Sequence, residues 1–270
     1  MTKDKKILIL DIDGTLVNSR KDITPLTLSY LHEIQEKGHI VALASGRPYP
    51  GMKGYAEQLG LDKMGGYAVS FNGARIISCR DGSAVYEKTM PNHYLKDIYN
   101  YATEHGIGMV TYKDDMVVTG TRIDDYMEYE ARLNYMPLKH IDNFCEEVDF
   151  DMVKCLLTAE PEYAAQCEKE LYDMLSPELN VFRSEPYFIE ITMQGVDKAE
   201  SIDHLLKILD IPRENSICCG DGFNDLTMVK YAGIGVAMEN AQQIVKDNAD
   251  YITASCDDDG IVQVIKEFIL

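Results

Sequence analysis

Short, mostly apolar runs occur at residues 7–10, 41–44, 68–71 and 216–219, each about the length of a β-strand and too short for a helix. Amphipathic patterns follow the first two and the last, over residues 25–37, 52–59 and 225–231, with apolar positions three and four apart. Strands without a polar face, alternating with helices, predict a parallel sheet covered on both sides. In such open sheets ligands bind beyond the carboxyl ends of the strands, so the residues that follow each run are candidates for chemistry.

The segment from Gly73 to Lys198 is far longer than a crossover needs and has its own alternation. Helices are expected over residues 93–104 and 161–175, and strands over 107–112, 116–119, 152–158, 180–183 and 188–191. Two helices against a mostly antiparallel sheet form an inserted α+β domain. The expected division is a core of residues 1–83 and 191–270 around an insert of residues 84–190, with hinges near Asp81-Gly82 and Gln194-Gly195. The core pattern then resumes with a helix at 198–209, strands at 234–237 and 251–253, and a helix through 261–268.

Composition adds few constraints. The 270 residues are 46% apolar and 26% charged, as in an ordinary globular chain, which excludes collagen-like and disordered classes. A net charge of −19 disfavours nucleic acid and anionic membrane surfaces as partners, so an anionic ligand would need local cations. No apolar run approaches the ~18 residues needed to span a bilayer. The lack of a leader pattern and the seven scattered cysteines suggest a cytoplasmic protein. The adjacent Cys218 and Cys219 read as buried core thiols, because no C-x-x-C pair is present.

The polar clusters beyond the strands are distinctive: Asp11-Ile12-Asp13-Gly14-Thr15, Ser45-Gly46-Arg47, Asn72-Gly73 and Gly220-Asp221-Gly222-Phe223-Asn224-Asp225. Asp11 and Asp13 leave the first strand on the same side, and Asp221 arrives from another strand end. Such hard oxygen donors suit Mg2+, which keeps waters and commonly bridges to a substrate phosphate. One carboxylate can then attack as a nucleophile. Asp13, if it is not a ligand, sits beside like charges expected to raise its pKa, so that it can carry a proton to a leaving oxygen. Ser45 and Lys198 offer a hydroxyl and an ammonium for the phosphoryl oxygens, and Lys198 opens a helical pattern whose positive end adds to that field.

These four motifs, in this order and with the insert where it is, resemble those of the haloacid dehalogenase superfamily, in particular its Cof-type phosphatases with a type IIB cap. The later Gly235-Val236-Ala237-Met238-x-Asn240-Ala241 and Asp258-Asp259-Gly260-Ile261 segments resemble that subfamily as well. The resemblance implies a Rossmann-like doubly wound core with an α+β cap. It also implies an aspartyl-phosphate on Asp11, general acid and base chemistry by Asp13, and Mg2+ held by Asp11, the Asp13 carbonyl and Asp221. Asp225 is a further metal candidate, and Thr15, Ser45, Gly46, Arg47, Asn72, Lys198 and Asn224 are the phosphate- or substrate-binding candidates. Ala199 departs from the pattern, since relatives often carry Gly after this lysine.

The expected activity is Mg2+-dependent hydrolysis of small phosphorylated metabolites, with sugar phosphates the leading class. A phosphomutase and a non-catalytic sugar-phosphate-binding regulator are the alternatives. In the insert, Lys154 and Arg183 are candidates to contact the substrate, and Asp257–Asp259 are expected to cap the last helix.

Overall fold

The computed structural model describes residues 5–270, which form two compact units, residues 5–86 with Asp197–Leu270 and Glu87–Val196. The first unit begins β1 (Ile7–Leu10), α1 (Pro25–Glu36), β2 (Ile40–Ala44), α2 (Tyr49–Gln58), α3 (Leu61–Met64), β3 (Tyr67–Ser70), β4 (Arg75–Ser78) and β5 (Ala84–Glu87). The second unit contains α4 (Leu95–Glu104), β6 (Gly108–Lys113), β7 (Met116–Thr119), α5 (Asp125–Leu133), β8 (Leu138–His140), α6 (Phe144–Glu147), β9 (Cys155–Thr158), α7 (Pro161–Leu175), β10 (Leu179–Glu185) and β11 (Phe188–Met193). The chain then returns to the first unit with α8 (Lys198–Leu209), β12 (Ser216–Gly220), α9 (Leu226–Tyr231), β13 (Ile234–Ala237), α10 (Gln243–Lys246), β14 (Tyr251–Ile252) and α11 (Gly260–Phe268).

The eight strands of the first unit lie in the order β14-β13-β12-β1-β2-β3-β4-β5, parallel from β14 to β3. The sequence moves outward from β1 through β2 on one side and returns to its other side as β12. The order therefore reverses at the β1/β12 boundary, where open α/β sheets place their ligand crevice. Ile7, Leu8, Ile9 and Leu10 are fully buried, and each contributes about 1.5–3 kcal/mol by leaving water. The ladder continues past β1, because the Asp11 amide donates to the Cys219 carbonyl at 3.0 Å. Asp11 thus stands at the end of a central strand that is fully buried and paired on both sides.

The second unit has a six-stranded sheet in the order β10-β11-β9-β6-β7-β8, antiparallel except where β7 meets β8. Its apolar core joins one sheet face to α4 and α7, including Ile98, Ala102, Cys167, Leu171, Leu157 and Ile191. Among the described residues it holds two helices beyond the two expected. Helix α5 escapes the apolar pattern because Glu130 shares its buried stripe with Met127 and Ala131, hydrogen-bonded at 2.6 Å to the Tyr112 hydroxyl. The readable signal is Asp124, whose side chain caps the Met127 amide at 2.8 Å.

Two segments differ from expectation. Asp81-Gly82 is the turn of the β4–β5 hairpin, closed by the Gly82 amide on the Ser78 carbonyl. β11 continues past residue 190 to Met193, and the units divide after Tyr86 and after Val196.

Candidate active site

Asp11 is 6% exposed, and its Oδ1 accepts a 2.7 Å hydrogen bond from Lys198 Nζ. The same ammonium donates to Asp225 Oδ1 at 2.6 Å and to the Ala44 carbonyl at 2.8 Å, so all three of its protons are placed. Lys198 is the first residue of α8, whose N-cap Asp197 accepts from the Glu200 amide at 2.9 Å. Capping fixes the start of the helix, and the lysine stem then reaches the ends of β1 and β2.

Asp221 follows β12, and its Oδ1 accepts from the Thr15 hydroxyl at 2.9 Å. Gly14 allows this approach: its φ is +88°, and a Cβ built there would meet Asp221 Oδ2 at 2.5 Å. Asn240 fixes the same turn by donating to the Gly14 carbonyl at 2.8 Å. Asp225 Oδ2 accepts from the amides of Asp221 and Gly222 at 3.0 and 2.9 Å, which closes the loop after β12. Gly14→Ala is therefore expected to displace Asp221 and to weaken divalent-ion affinity about tenfold or more by titration calorimetry.

Asp11, Asp221 and Asp225 each offer a carboxylate oxygen, and these oxygens lie within 4.8 Å of one another. Three carboxyl groups share one ammonium in a mostly buried space, a set of hard oxygen donors that fits a divalent cation. Burial, helped by Asp225 and opposed by Lys198, pushes Asp11 up to about 8. Burial also pushes Asp221 up to about 6, opposed by the Thr15 hydroxyl. Desolvation works against a charged Lys198, but Asp11 and Asp225 outweigh it and hold its pKa above the ordinary lysine value.

These shifts set the sign of a stability effect. Without metal, the folded protein retains protons at Asp11 and Asp221 that the unfolded chain has released, so their contribution to stability falls as pH rises. The loss begins near 3.8 and runs through about 6 for Asp221 and about 8 for Asp11. Added Mg2+ is expected to raise Tm by an amount that grows across that window. A pH-independent increment in thermal melts would contradict the cluster as the binding site.

Asp13 corrects an expectation. Its carboxylate accepts from Arg47 Nε at 2.9 Å, Arg47 Nη2 at 3.0 Å and Lys21 Nζ at 2.7 Å, and it does not join the acidic cluster. Burial alone would raise its pKa. The hydrogen bonds and charges of Arg47 and Lys21 prevail and hold it below the usual carboxylate value. Neighbouring cations dominate here, where the sequence suggested neighbouring anions.

The other expected residues divide. Ser45 is buried, and its Oγ accepts from the Arg47 amide at 3.3 Å across Gly46. The Asn72 amide donates to the Ser45 carbonyl at 3.0 Å, and Asn224 Nδ2 donates to Asn72 Oδ1 at 3.1 Å, so Asn224 faces Asn72. Phe71 and Asn72 both adopt positive φ, 53° and 54°, a costly backbone for non-glycine residues that holds the Asn72 side chain beside Gly46. Thr15 is committed to Asp221. Lys154 is buried in its own unit with Glu190 at 3.3 Å, and Arg183 pairs with Glu168 at 2.8 Å.

Asp259 does not cap α11 with its side chain. Its Oδ1 accepts from the hydroxyls of Thr24 and Thr27 at the start of α1. All seven cysteines are free, and burial raises the Cys218 and Cys219 thiols. No helix of the described residues is long and apolar enough to cross a membrane. Sequence reasoning missed Lys21, since it does not stand directly after a strand.

A family model described as haloacid dehalogenase-like hydrolase matches residues 8–265. A crystal structure of a haloacid dehalogenase-like hydrolase from Bacteroides thetaiotaomicron is 40% identical, with a TM-score of 0.91 over 97% of this chain and 98% of that one. The subclass IIB sugar phosphatase BT4131 is 26% identical, with a TM-score of 0.79 over 98% of this chain and 99% of its own. The 5-amino-6-(5-phospho-D-ribitylamino)uracil phosphatase YitU of Bacillus subtilis is 28% identical over 265 residues, 97% of each chain.

Proposed function

The chain belongs to the haloacid dehalogenase-like hydrolase family and is a phosphatase of phosphorylated substrates, and we propose that it is a Mg2+-dependent phosphomonoesterase of small metabolites, with sugar phosphates foremost. The reading rests most on one observation: carboxylates from the ends of β1 and β12 lie within 4.8 Å of one another, with Lys198 bonded to two of them. Residues 87–196 act as the cap that selects the substrate, and the scattered free cysteines favour a cytoplasmic enzyme.

In this mechanism Asp11, Asp221 and the Asp13 carbonyl would hold the divalent ion. Asp225 positions them, since one of its oxygens is held by Lys198 and the other by two backbone amides. When bound, the divalent ion supplies the positive charge that lets a carboxylate and a phosphoryl dianion approach each other. Lys198, the Ser45 hydroxyl and the amides around Gly46 bind the phosphoryl oxygens, and Asn72 with Asn224 borders the substrate. Asp13 takes up a proton once the arriving substrate draws Arg47 and Lys21 off its carboxylate; an Asp11 oxygen then attacks phosphorus, the ester P–O bond breaks, and the departing oxygen takes that proton from Asp13. Water then attacks the phosphorus of the aspartyl-phosphate and gives a proton to the Asp13 carboxylate. The bond to Asp11 breaks, which releases inorganic phosphate and restores both side chains.

Phosphate release from a panel of phosphorylated metabolites, measured with Mg2+ and with EDTA, tests this reading. Sugar phosphates are expected to be turned over without any bisphosphate activator, and EDTA is expected to stop turnover. Undiminished activity in EDTA would refute the metal-dependent mechanism, and a bisphosphate requirement would indicate a phosphomutase.

A further inference from the structure

Lys21 is not explained by the machinery above. It adopts a left-handed φ of +65° in a loop whose shape is set by Asn18, itself buried. Asn18 Oδ1 accepts from the amides of Arg20 and Asp22, both at 3.0 Å, and the Lys21 amide donates to the Asn18 carbonyl at 2.9 Å. Ser19 anchors the loop to the chain before α11, its amide donating to Asp257 Oδ1 at 2.8 Å. A preorganised loop thus holds a lysine in an unfavourable backbone conformation and directs its ammonium at Asp13.

Stability does not account for the arrangement. The Lys21 side chain is 60% exposed, and exposed ion pairs contribute less than a left-handed non-glycine residue costs. Nor does Asp13 need the contact, because Arg47 already engages both of its oxygens. With one carboxylate between two cations, the cluster carries a net charge of about +1 and can accept a further anion. Strain held at such a place points to a role in binding.

We propose that Lys21, together with Arg47, forms an anion subsite for the leaving portion of the substrate, selecting phosphoesters whose alcohol carries a second anionic group, a carboxylate or another phosphate. The inference rests on the reading above that Asp13 serves the leaving oxygen, because groups bonded to Asp13 then flank the alcohol and not the transferred phosphoryl group. An anion there replaces Asp13 as the partner of both cations.

The test compares Lys21→Met and Lys21→Gly with the unaltered enzyme on two esters, a phosphorylated hydroxy acid and a hexose monophosphate. The predicted result is a loss of selectivity: KM for the doubly anionic ester rises about tenfold more than KM for the hexose ester in both variants. Lys21→Gly also relieves the left-handed strain, so its Tm is expected to equal or exceed that of the unaltered protein. Equal KM changes for both esters would overturn the subsite while leaving the phosphatase reading intact. Failure of the unaltered enzyme to release phosphate from either ester would overturn both.

Discussion

Replacing Asp11 with Asn is expected to lower phosphate release from an aryl phosphate by at least about 10⁴-fold, or about 5.4 kcal/mol at the transition state. The amide has nearly the shape of the carboxylate and can still accept the Lys198 hydrogen bond, but it is not a competent nucleophile. The fold should survive, because the substitution removes one acid from a crowded, mostly buried cluster of three. Since burial pushes Asp11 up to about 8, the metal-free variant should melt at or above the temperature of the unaltered protein near neutral pH. Phosphate assays and thermal melts in EDTA check both halves. Substantial residual turnover in a well-folded variant would mean that another group attacks phosphorus.

Lys198→Met should have the largest effect on stability. The substitution keeps an unbranched side chain of similar length but leaves Asp11, Asp225 and the Ala44 carbonyl without their shared donor. Breaking a buried pair in this way costs about 3–5 kcal/mol, because the partner charges remain out of water. For a chain of this size the expected fall in Tm is roughly 6–20 °C. Mg2+ should recover part of the loss by supplying positive charge to the same carboxylates, and Lys198→Met combined with Asp225→Asn should cost less than the sum of the two changes. A Tm within a degree or two of the unaltered protein would show that Lys198 is not the electrostatic keystone of the cluster.

The contrast between Asp11 and Asp13 shows what the sequence could reveal. β1 and β12 are short apolar runs buried on both faces, so their ends, and the acidic residues there, follow from pattern alone. The convergence of Asp11 and Asp221 is then a consequence of parallel pairing at the point where strand order reverses. Asp13 lies two residues further on, where side-chain partners decide its chemistry. One of those partners, Lys21, is placed by an Asn18-centred loop that has no periodicity to read.

The second unit is legible in the same uneven way. α4 and α7 present clean apolar stripes, whereas α5 buries Glu130 and β8 is a three-residue edge strand with exposed Lys139 and His140. Asp257–Asp259 show a related limit. Negative charge near a helix start was expected to serve α11, but Asp259 faces α1 through tertiary contact. The Arg47 position after β2 was visible in the sequence, while its bidentate grip on Asp13 depends on side-chain geometry that a linear pattern does not encode.

The most direct test of the central claim is to trap the covalent intermediate. The enzyme is mixed with Mg2+ and substrate, quenched with acid during turnover, reduced with borohydride and mapped by peptide mass spectrometry. An aspartyl-phosphate on Asp11 predicts homoserine at position 11, absent when substrate is omitted. Reduction at another carboxylate, with position 11 unmodified during active turnover, would contradict the account.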